Sequence, residues 1–199
     1  MHKGISSPIS ASAAWAVAPS WLRTVGIVVG GSLLLAICAH VSVPLGFTPV
    51  PLSLQPFGVL LLGLLLSPSL AVATLVTYLI EGAAGLPVFA PSPIGGIAHL
   101  LGPTGGYLMA YPVSAGLISF LWRRMGRGFS MALVSGALGD LLILISGAAW
   151  LATGIHAVAW SAIASVVLTF APGDALKVAA AAGIAVLWQR TRTQSQSLQ

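Results

Sequence analysis

Acidic side chains are almost absent from this sequence. Its 199 residues include three acids, Glu81, Asp140 and Asp174, against eight lysines and arginines. Charged residues make up 6% of the chain and hydrophobic residues 57%, whereas a water-soluble domain averages about 25% charged residues. The composition therefore excludes a soluble globular protein and indicates a protein embedded in membrane lipid.

Cysteine and the common cofactor motifs are also scarce. Cys38 is the only cysteine, which excludes a disulfide framework and a thiolate metal cluster. The four histidines lack metal-ligand spacing and there is no ATP-binding phosphate loop, so we predict no metal, no cofactor and no ATP site in this chain. The basic residues stand between apolar runs and do not form a stripe, which argues against nucleic acid as a partner.

Long apolar runs dominate the remaining sequence. A transmembrane helix needs about 20 apolar residues, with a range of about 17–25. We predict an all-α, polytopic integral membrane protein with long outer loops and six transmembrane helices, over residues 22–43, 54–66, 69–84, 104–122, 131–151 and 173–188. Residues 157–170 are too few to cross and favour an interfacial or re-entrant helix.

The two ends of the chain are more polar than its centre. Residues 1–20 are rich in Ser and Ala and predict a flexible cytoplasmic leader, because they lack the compact apolar core of a signal peptide. Residues 191–199 predict a solvated polar tail. Residues 21–190 then form a single transmembrane domain.

The arginines orient the predicted spans. Arg23 precedes the first span, residues 123–127 lie between the fourth and fifth, and residues 190–192 follow the last. Because positive residues accumulate on the cytoplasmic side, six crossings place both termini in the cytoplasm. The segments 44–58 and 86–106, rich in proline and glycine, then lie on the outer face, where we expect them to cover an outward-opening pocket.

Asp174 and Lys177 form the leading candidate site. Because they are three residues apart, a helix places both on one face. Pro172 and Gly173 are expected to begin the last helix, which would put Asp174 in its first turn, near the positive end of the helix dipole. Charges in hydrocarbon are costly and usually functional, which favours a ligand site; the alternative is a capping acid with an incidental ion pair.

Other polar and aromatic residues fall near the predicted outer face. The apolar loop over residues 86–107 is long enough to be functional and is expected to pack over the pocket. Thr104 is expected near the cap of the following helix, and Tyr107 either lines the pocket or belongs to the aromatic belt. Asp140, near mid-span, is expected to face the bundle interior. The remaining candidates for pocket lining are Gln55, Glu81, Phe89, His99 and Trp150.

The first span carries small residues at helical spacing. Gly26, Gly30, Ser32 and Ala36 would allow another helix to approach closely. Packing within this chain and contact with a separate partner subunit both explain the pattern.

Four motifs occur in order along the chain: FTPVPLSLQPFG at 47–58, GLPVF at 85–89, LGPTGGY at 101–107 and PGDALK at 172–177. Together they closely resemble the BioY family, the biotin-specific substrate-binding (S) component of energy-coupling factor (ECF) transporters. The resemblance implies a six-helix protein of a bacterial-type plasma membrane with a biotin pocket near its outer face. It also implies a transmembrane coupling subunit and two ATPase subunits as partners.

The resemblance also implies roles for individual residues. Asp174 would accept a hydrogen bond from the ureido N–H of biotin, and Lys177 would pair with the valerate carboxylate. Members of the family can carry an asparagine in the outer loop after the GLPV sequence, whereas this chain contains no asparagine. Ser92, Tyr107 or backbone groups would take its place.

Three other functions fit parts of the sequence. The first is a solitary biotin facilitator or an S component for another vitamin. The second is an intramembrane enzyme using Asp140, Glu81 or His99, although no nucleophile elbow supports it. The third is an assembly or scaffold protein without a small ligand.

Overall fold

The computed structural model describes residues 19–46, 48–153 and 160–197, and side chains within the last range for residues 167–194. All but the final two residues of the predicted leader lie outside the described residues, as does His156.

Helices make up most of the described chain. Six helices match the six predicted spans in order: α1 (Ser20–His40), α2 (Gln55–Leu65), α3 (Pro68–Ala83), α5 (Gly105–Arg124), α6 (Phe129–Ala152) and α7 (Trp160–Ser197). A single helical turn, α4 (Ile97–Leu100), lies in the loop before α5. Strands β1 (Ser42–Val43) and β2 (Leu52–Ser53) pair antiparallel, with Ser42 opposite Ser53, and form a hairpin between α1 and α2.

The outer surface of the bundle is apolar, as lipid requires. Ser20–His40, Phe129–Ala152 and residues 167–194 of α7 are each long and apolar enough to cross a membrane. Large apolar side chains such as Ile37, Val113 and Ile145 are more than half exposed. In water these would form large apolar patches, whereas in a bilayer they contact acyl chains. The predicted all-α membrane fold is confirmed.

The short helix α2 lies at the centre of the bundle. It packs against α1, α5 and α7, and its side chains from Val59 to Leu62 are buried. The interior divides into two apolar clusters, one around Tyr78 and Tyr111 and the other around Trp122. We call these halves the pocket end, where α2 and α5 begin, and the arginine end, where α5 and α7 finish.

Close contact between α5 and α6 depends on glycine. A Cβ at Gly139 would lie 2.3 Å from Ile118 side-chain atoms, and the Ser114 hydroxyl donates a 2.8 Å hydrogen bond to the Gly139 carbonyl. Small residues and interhelical hydrogen bonds of this kind hold helices together in lipid, where the hydrophobic effect does not.

The last helix differs from its predicted form. Instead of beginning at Pro172, α7 starts at Trp160 and contains Pro172 in its interior, so Asp174 lies mid-helix and not in a first turn. The separate helix predicted over 157–170 is, from Trp160 onward, the first part of α7; residues 157–159 lie outside the described residues. Proline lacks one helix hydrogen bond, but leaving the helix inside a membrane would expose more backbone groups to lipid.

Two other segments contain helix that nothing in the sequence indicated. The predicted polar tail is helical, because α7 continues through Ser197, and the side chains of residues 191–194 are exposed. The loop over residues 86–107 has no helical period, yet it contains the single turn α4. Thr104 caps α5 by position only, because its side chain makes no capping hydrogen bond.

Candidate functional site

A cleft at the pocket end lies between α2, α5, α6 and α7, beneath β2 and the loop over residues 86–106, which we call the outer loop after its predicted side of the membrane. It encloses about 570 Å³ of space between protein atoms, its open mouth included. The lining is mostly apolar and comprises Val50, Pro51, Leu52, Ser53, Gln55, Pro56, Ala90, His99, Thr104, Tyr107, Leu108, Tyr111, Asp140, Ile143, Leu144, Phe170, Asp174 and Lys177.

Asp174 and Lys177 form a buried ion pair on the wall of this cleft. The Lys177 Nζ lies 2.9 Å from the Asp174 Oδ1, and the two residues are 9% and 5% exposed. Their spacing of three on α7 brings both head groups to one side of the helix. The opposite charges of the two groups compensate each other. The Lys177 ammonium has three donor hydrogens, and this bond uses one of them, so two can bond to other groups.

Asp140 of α6 faces the same cleft and is 7% exposed. It also borders, with Asp174, a shallow groove between α6 and α7 on the lipid side. The cleft therefore contains two carboxyl groups and one ammonium. The sequence predicted that Asp140 faces inward, but the spacing gave no sign that it lies beside Asp174.

Tyr107 enters the cleft from the first turn of α5. Its hydroxyl is buried and has no hydrogen-bond partner in the described part of the chain. Its ring packs on Gly147 of α6, where a Cβ would come within 2.2 Å of the ring atoms. The ring position is thus fixed by α6, while the hydroxyl is available to a ligand.

Gln55 joins the cleft to the outer loop. Its Nε2 donates to the Tyr78 hydroxyl at 2.7 Å, and that hydroxyl donates to the Val88 carbonyl at 3.0 Å. Tyr78 is fully buried. This chain of hydrogen bonds ties the start of α2 to α3 and to the outer loop.

His99 forms part of the wall. Its Nδ1 is 3.0 Å from the Ile94 carbonyl, and its ring stacks on Phe89 with centroids 5.0 Å apart. Phe89 supports His99 from behind and does not line the cleft. A Cβ at Gly82 would come within 2.1 Å of the Phe89 ring, so this glycine gives the ring its place.

Besides Phe89, three other predicted site residues lie outside the cleft. Ser92 lines an adjoining outer cavity of about 720 Å³ between the hairpin and the outer loop. Glu81 accepts a 3.1 Å hydrogen bond from the Ser32 hydroxyl, which links α3 to α1. The Trp150 Nε1 donates to the Gly102 carbonyl at 2.9 Å and holds the loop before α5.

The glycines before Tyr107 permit close helix approach. A Cβ at Gly105 would lie 1.9 Å from the Leu100 carbonyl, and one at Gly106 would lie 2.2 Å from the Trp150 Cβ. The absence of side chains at these two positions lets the start of α5 pack directly against α4 and α6.

Most of the apolar lining was not anticipated. Tyr111, Leu144 and Phe170 are single residues in apolar helices, and nothing in their spacing marks them. The backbone stretch 50–56 enters the cleft because the hairpin returns the chain to the start of α2. The only feature of the sequence that could have indicated this placement is the FTPVPLSLQPFG motif, which contains these residues.

The small residues of α1 divide between two environments. Ser32 is buried inside this chain, so it does not form a partner surface. Gly30 is exposed, and a Cβ there would meet no other described segment within 4 Å, whereas Gly26 and Ala36 are half-buried. Within the described residues, no group of three or more His, Cys, Asp or Glu side chains could hold a metal ion.

Comparisons with known proteins agree with one another. The model of the BioY family matches residues 9–194. A protein of Pyrococcus horikoshii named probable biotin transporter BioY is 44% identical over 60% of this chain and 68% of its own. Biotin transporter BioY of Thermotoga maritima is 37% identical over 77% of this chain and 88% of its own.

A solved structure shares the fold as well. The S-component for biotin from an ECF-type ABC transporter, a crystal structure at 2.1 Å, superimposes with a TM-score of 0.77 and 27% sequence identity, covering 85% of this chain and 92% of that one. The extent of the family match, together with the fold, leads to one conclusion. This chain belongs to the BioY family.

Proposed function

We propose that this chain is the biotin-binding membrane subunit of a biotin uptake system and that the cleft holds the vitamin. The observation that supports this most directly is the buried Asp174–Lys177 ion pair on the wall of a mostly apolar cleft. Biotin offers an apolar bicycle, a ureido edge and one carboxylate. A pocket of this composition needs only a few polar groups to orient such a ligand.

The geometry of the ion pair favours one orientation of biotin. A ureido edge presents an N–H donor beside a C=O acceptor, which a carboxylate and an ammonium 2.9 Å apart complement. The biotin carboxylate, in contrast, would lie near two carboxyl groups, those of Asp140 and Asp174, and near only one ammonium, that of Lys177. The repulsion by the two carboxyl groups disfavours this orientation. We therefore assign both Asp174 and Lys177 to the ureido edge. This revises the role of Lys177 that the resemblance implied.

The remaining polar groups support this orientation. The Tyr107 hydroxyl, which has no hydrogen-bond partner among the described residues, can bond to the ureido group and so can stand in for the missing loop asparagine. Ser92 lines the outer cavity, which shares Pro51, His99 and Thr104 with the cleft. This position supports assigning Ser92 to the biotin carboxylate and not to the ureido ring.

Equilibrium binding to the purified chain tests the proposal. We expect one biotin per chain, and weakening by about 2–5 kcal/mol in Lys177→Ala, because a buried charged partner is left unpaired. Glu81→Gln is the matched control, since Glu81 bonds to Ser32 outside the cleft. Unchanged affinity in Lys177→Ala, or equal loss in both variants, would remove the cleft from consideration. Displacement of biotin by riboflavin or thiamine at equal strength would contradict its specificity.

A ligand comparison separates the two roles of Lys177. Biotinamide lacks the carboxylate charge but keeps the ureido edge. If Lys177 meets the ureido edge, Lys177→Ala should weaken biotin and biotinamide by the same factor. If it meets the carboxylate, the variant should weaken biotin alone.

We further propose that uptake requires an ECF coupling subunit and two ATPase subunits, since this chain contains no phosphate-loop motif. As a member of a transporter family the chain is not an enzyme. Uptake into proteoliposomes with and without the ATPase partners tests the dependence, and undiminished uptake by the chain alone would assign it to the solitary facilitators.

We also propose that the arginine end faces the cytoplasm with both termini, and that the cleft opens outward, as the positive-inside rule predicts. A cysteine replacing Ser92 should react with an impermeant reagent added outside cells, whereas one replacing Ser130, in the first turn of α6, should not. The reverse labelling would contradict the orientation.

A further inference from the structure

A second cavity lies at the arginine end, remote from the cleft. It encloses about 460 Å³ between α2, α5, α7 and the turn before α6, its open mouth included. Its polar and aromatic lining consists of Trp122, Arg123, Arg127, Trp188, Gln189 and Arg192. Three guanidinium groups thus border this one cavity, which we call the arginine cavity. The family resemblance assigns no role to it.

The turn between α5 and α6 holds one of these arginines in an unusual conformation. Arg127 has φ of 52°, in the left-handed region that a residue other than glycine adopts at some energetic cost. The Trp122 Nε1 fixes the turn by donating to the Gly128 carbonyl at 3.2 Å. The left-handed backbone of Arg127 is therefore less stable than an ordinary one, and this conformation places Arg127 on the cavity wall.

The other two arginines are also positioned by neighbours. The Arg123 Nε donates to the Ser119 hydroxyl at 3.2 Å, and Ser119 in turn donates to the Leu66 carbonyl. The Arg192 guanidinium lies 5.0 Å from the centroid of the Trp188 ring, a cation–π contact. These contacts set the orientation of the side chains but do not balance their charge.

No carboxylate side chain balances that charge. Asp140 and Asp174 lie in the cleft, and Glu81 bonds to Ser32 between α3 and α1; these are all the acidic side chains of the chain. Like charges around one cavity repel each other, and a bound anion would offset the repulsion. Arginine suits phosphate in particular, because its planar fork donates two parallel hydrogen bonds.

A further polar group in the cavity lacks a partner. The Oε1 of Gln189 is buried and makes no hydrogen bond within the described residues. On the lipid side, Leu187 and Trp188 are more than half exposed beside the cavity. A ligand with a phosphate for the arginines, a hydroxyl donor for Gln189 and an acyl chain for this rim would satisfy all three features. Arginine clusters at headgroup depth attract anionic lipids for the same reason.

We propose that this arginine cavity binds a phosphate-bearing anion, with the headgroup of an anionic phospholipid such as phosphatidylglycerol as the occupant that its apolar rim favours. The site is independent of biotin and of the proposed function, since no residue is shared between the two cavities.

Native mass spectrometry of the full chain tests the proposal. The protein is titrated separately with phosphatidylglycerol, phosphatidylcholine and inorganic phosphate. The variant R127Q/R192Q removes two arginines from the cavity. The matched control R124Q/R190Q removes two exposed arginines from neighbouring positions that do not line it. At about fivefold per arginine, we expect R127Q/R192Q to weaken phosphatidylglycerol binding about 25-fold and the control less than about threefold.

The possible results are distinct. If the parent chain prefers phosphatidylglycerol to phosphatidylcholine and only R127Q/R192Q loses this preference, the result supports a lipid site. If inorganic phosphate binds and only R127Q/R192Q loses that binding, the result supports a site for soluble phosphate. Equal losses in the two double variants would mean that general surface charge attracts lipid, and no preference in the parent chain would mean that the cavity takes no anion. Either result overturns the proposal. Arg127→Gly, which removes the guanidinium and relieves the left-handed backbone, replaces R127Q if that variant fails to fold.

Discussion

The ion pair between Asp174 and Lys177 makes a quantitative prediction about stability that does not depend on any ligand. We consider Asp174→Asn, Lys177→Met and the double variant. Because the two groups are 2.9 Å apart and almost fully buried, loss of either partner leaves a buried charge uncompensated. That loss typically costs about 3–5 kcal/mol, whereas replacing both partners by neutral groups of similar size is nearly neutral.

The cleft makes the two single variants unequal. Lys177→Met leaves the carboxyl groups of Asp140 and Asp174 facing the same space, whereas Asp174→Asn leaves Asp140 beside an ammonium that can still interact with it. We therefore expect Lys177→Met to lower the free energy of unfolding more than Asp174→Asn does. The double variant should be more stable than Lys177→Met, with a coupling of about 3 kcal/mol or more.

Reversible unfolding in mixed micelles, followed by helical circular dichroism, measures these free energies. The control cycle combines Lys177→Met with Glu81→Gln; Glu81 is bonded to Ser32 and does not line the cleft, so its effect should add to within about 0.5 kcal/mol. Additive free energies for Asp174 and Lys177 as well would refute the reasoning, because the two groups would then not be energetically coupled.

Two further substitutions test the supporting structure. Tyr78→Phe should cost about 1–3 kcal/mol in the same unfolding assay, because it leaves the Gln55 amide and a loop carbonyl buried without their shared hydroxyl; a stability within about 0.5 kcal/mol of the parent would contradict that network. Gly147→Ala should displace the Tyr107 ring and weaken biotin binding by about tenfold, from an overpacking cost of about 1–3 kcal/mol. In Gly183→Ala the new methyl group meets no atom of another described segment within 4 Å, so this variant should bind biotin normally. Equal affinities in the two glycine variants would show that Tyr107 is not held by Gly147.

Hydropathy predicted the helices because the bilayer fixes how long an apolar run must be. Even the short pair α2 and α3 could be divided at Ser67, since a proline there cannot continue the preceding helix. The same rule gave the wrong start for α7. At Pro172 the helix continues, because ending it would leave several backbone groups without hydrogen bonds in lipid, whereas the proline removes only one hydrogen bond.

The candidate site was predictable where it is charged. In a chain with three acids, Asp174 and Lys177 stand out, and their spacing on one helix brings them together. The approach of Asp140 depends instead on how α6 packs against α7, which one sequence does not reveal.

The uncharged residues of the site were harder to place. Phe89 and Trp150 were assigned to the lining because they are aromatic and near the outer face, yet they pack one layer behind it and support the loop. Aromatic character identifies depth in the membrane but not which side of a helix faces a cavity.

The α7 helix continues without a further proline from Asp174 to Arg192, about 27 Å along its axis at about 1.5 Å per residue. That length is close to the thickness of the hydrocarbon core, about 30 Å. One stiff segment thus carries the charged groups of the cleft near one surface of the bilayer and Arg192 near the other. If α7 tilts as a rigid unit when a ligand enters or leaves the cleft, its other end moves at the opposite surface of the bilayer. Ligand binding in the cleft would then be coupled to that surface through this one helix.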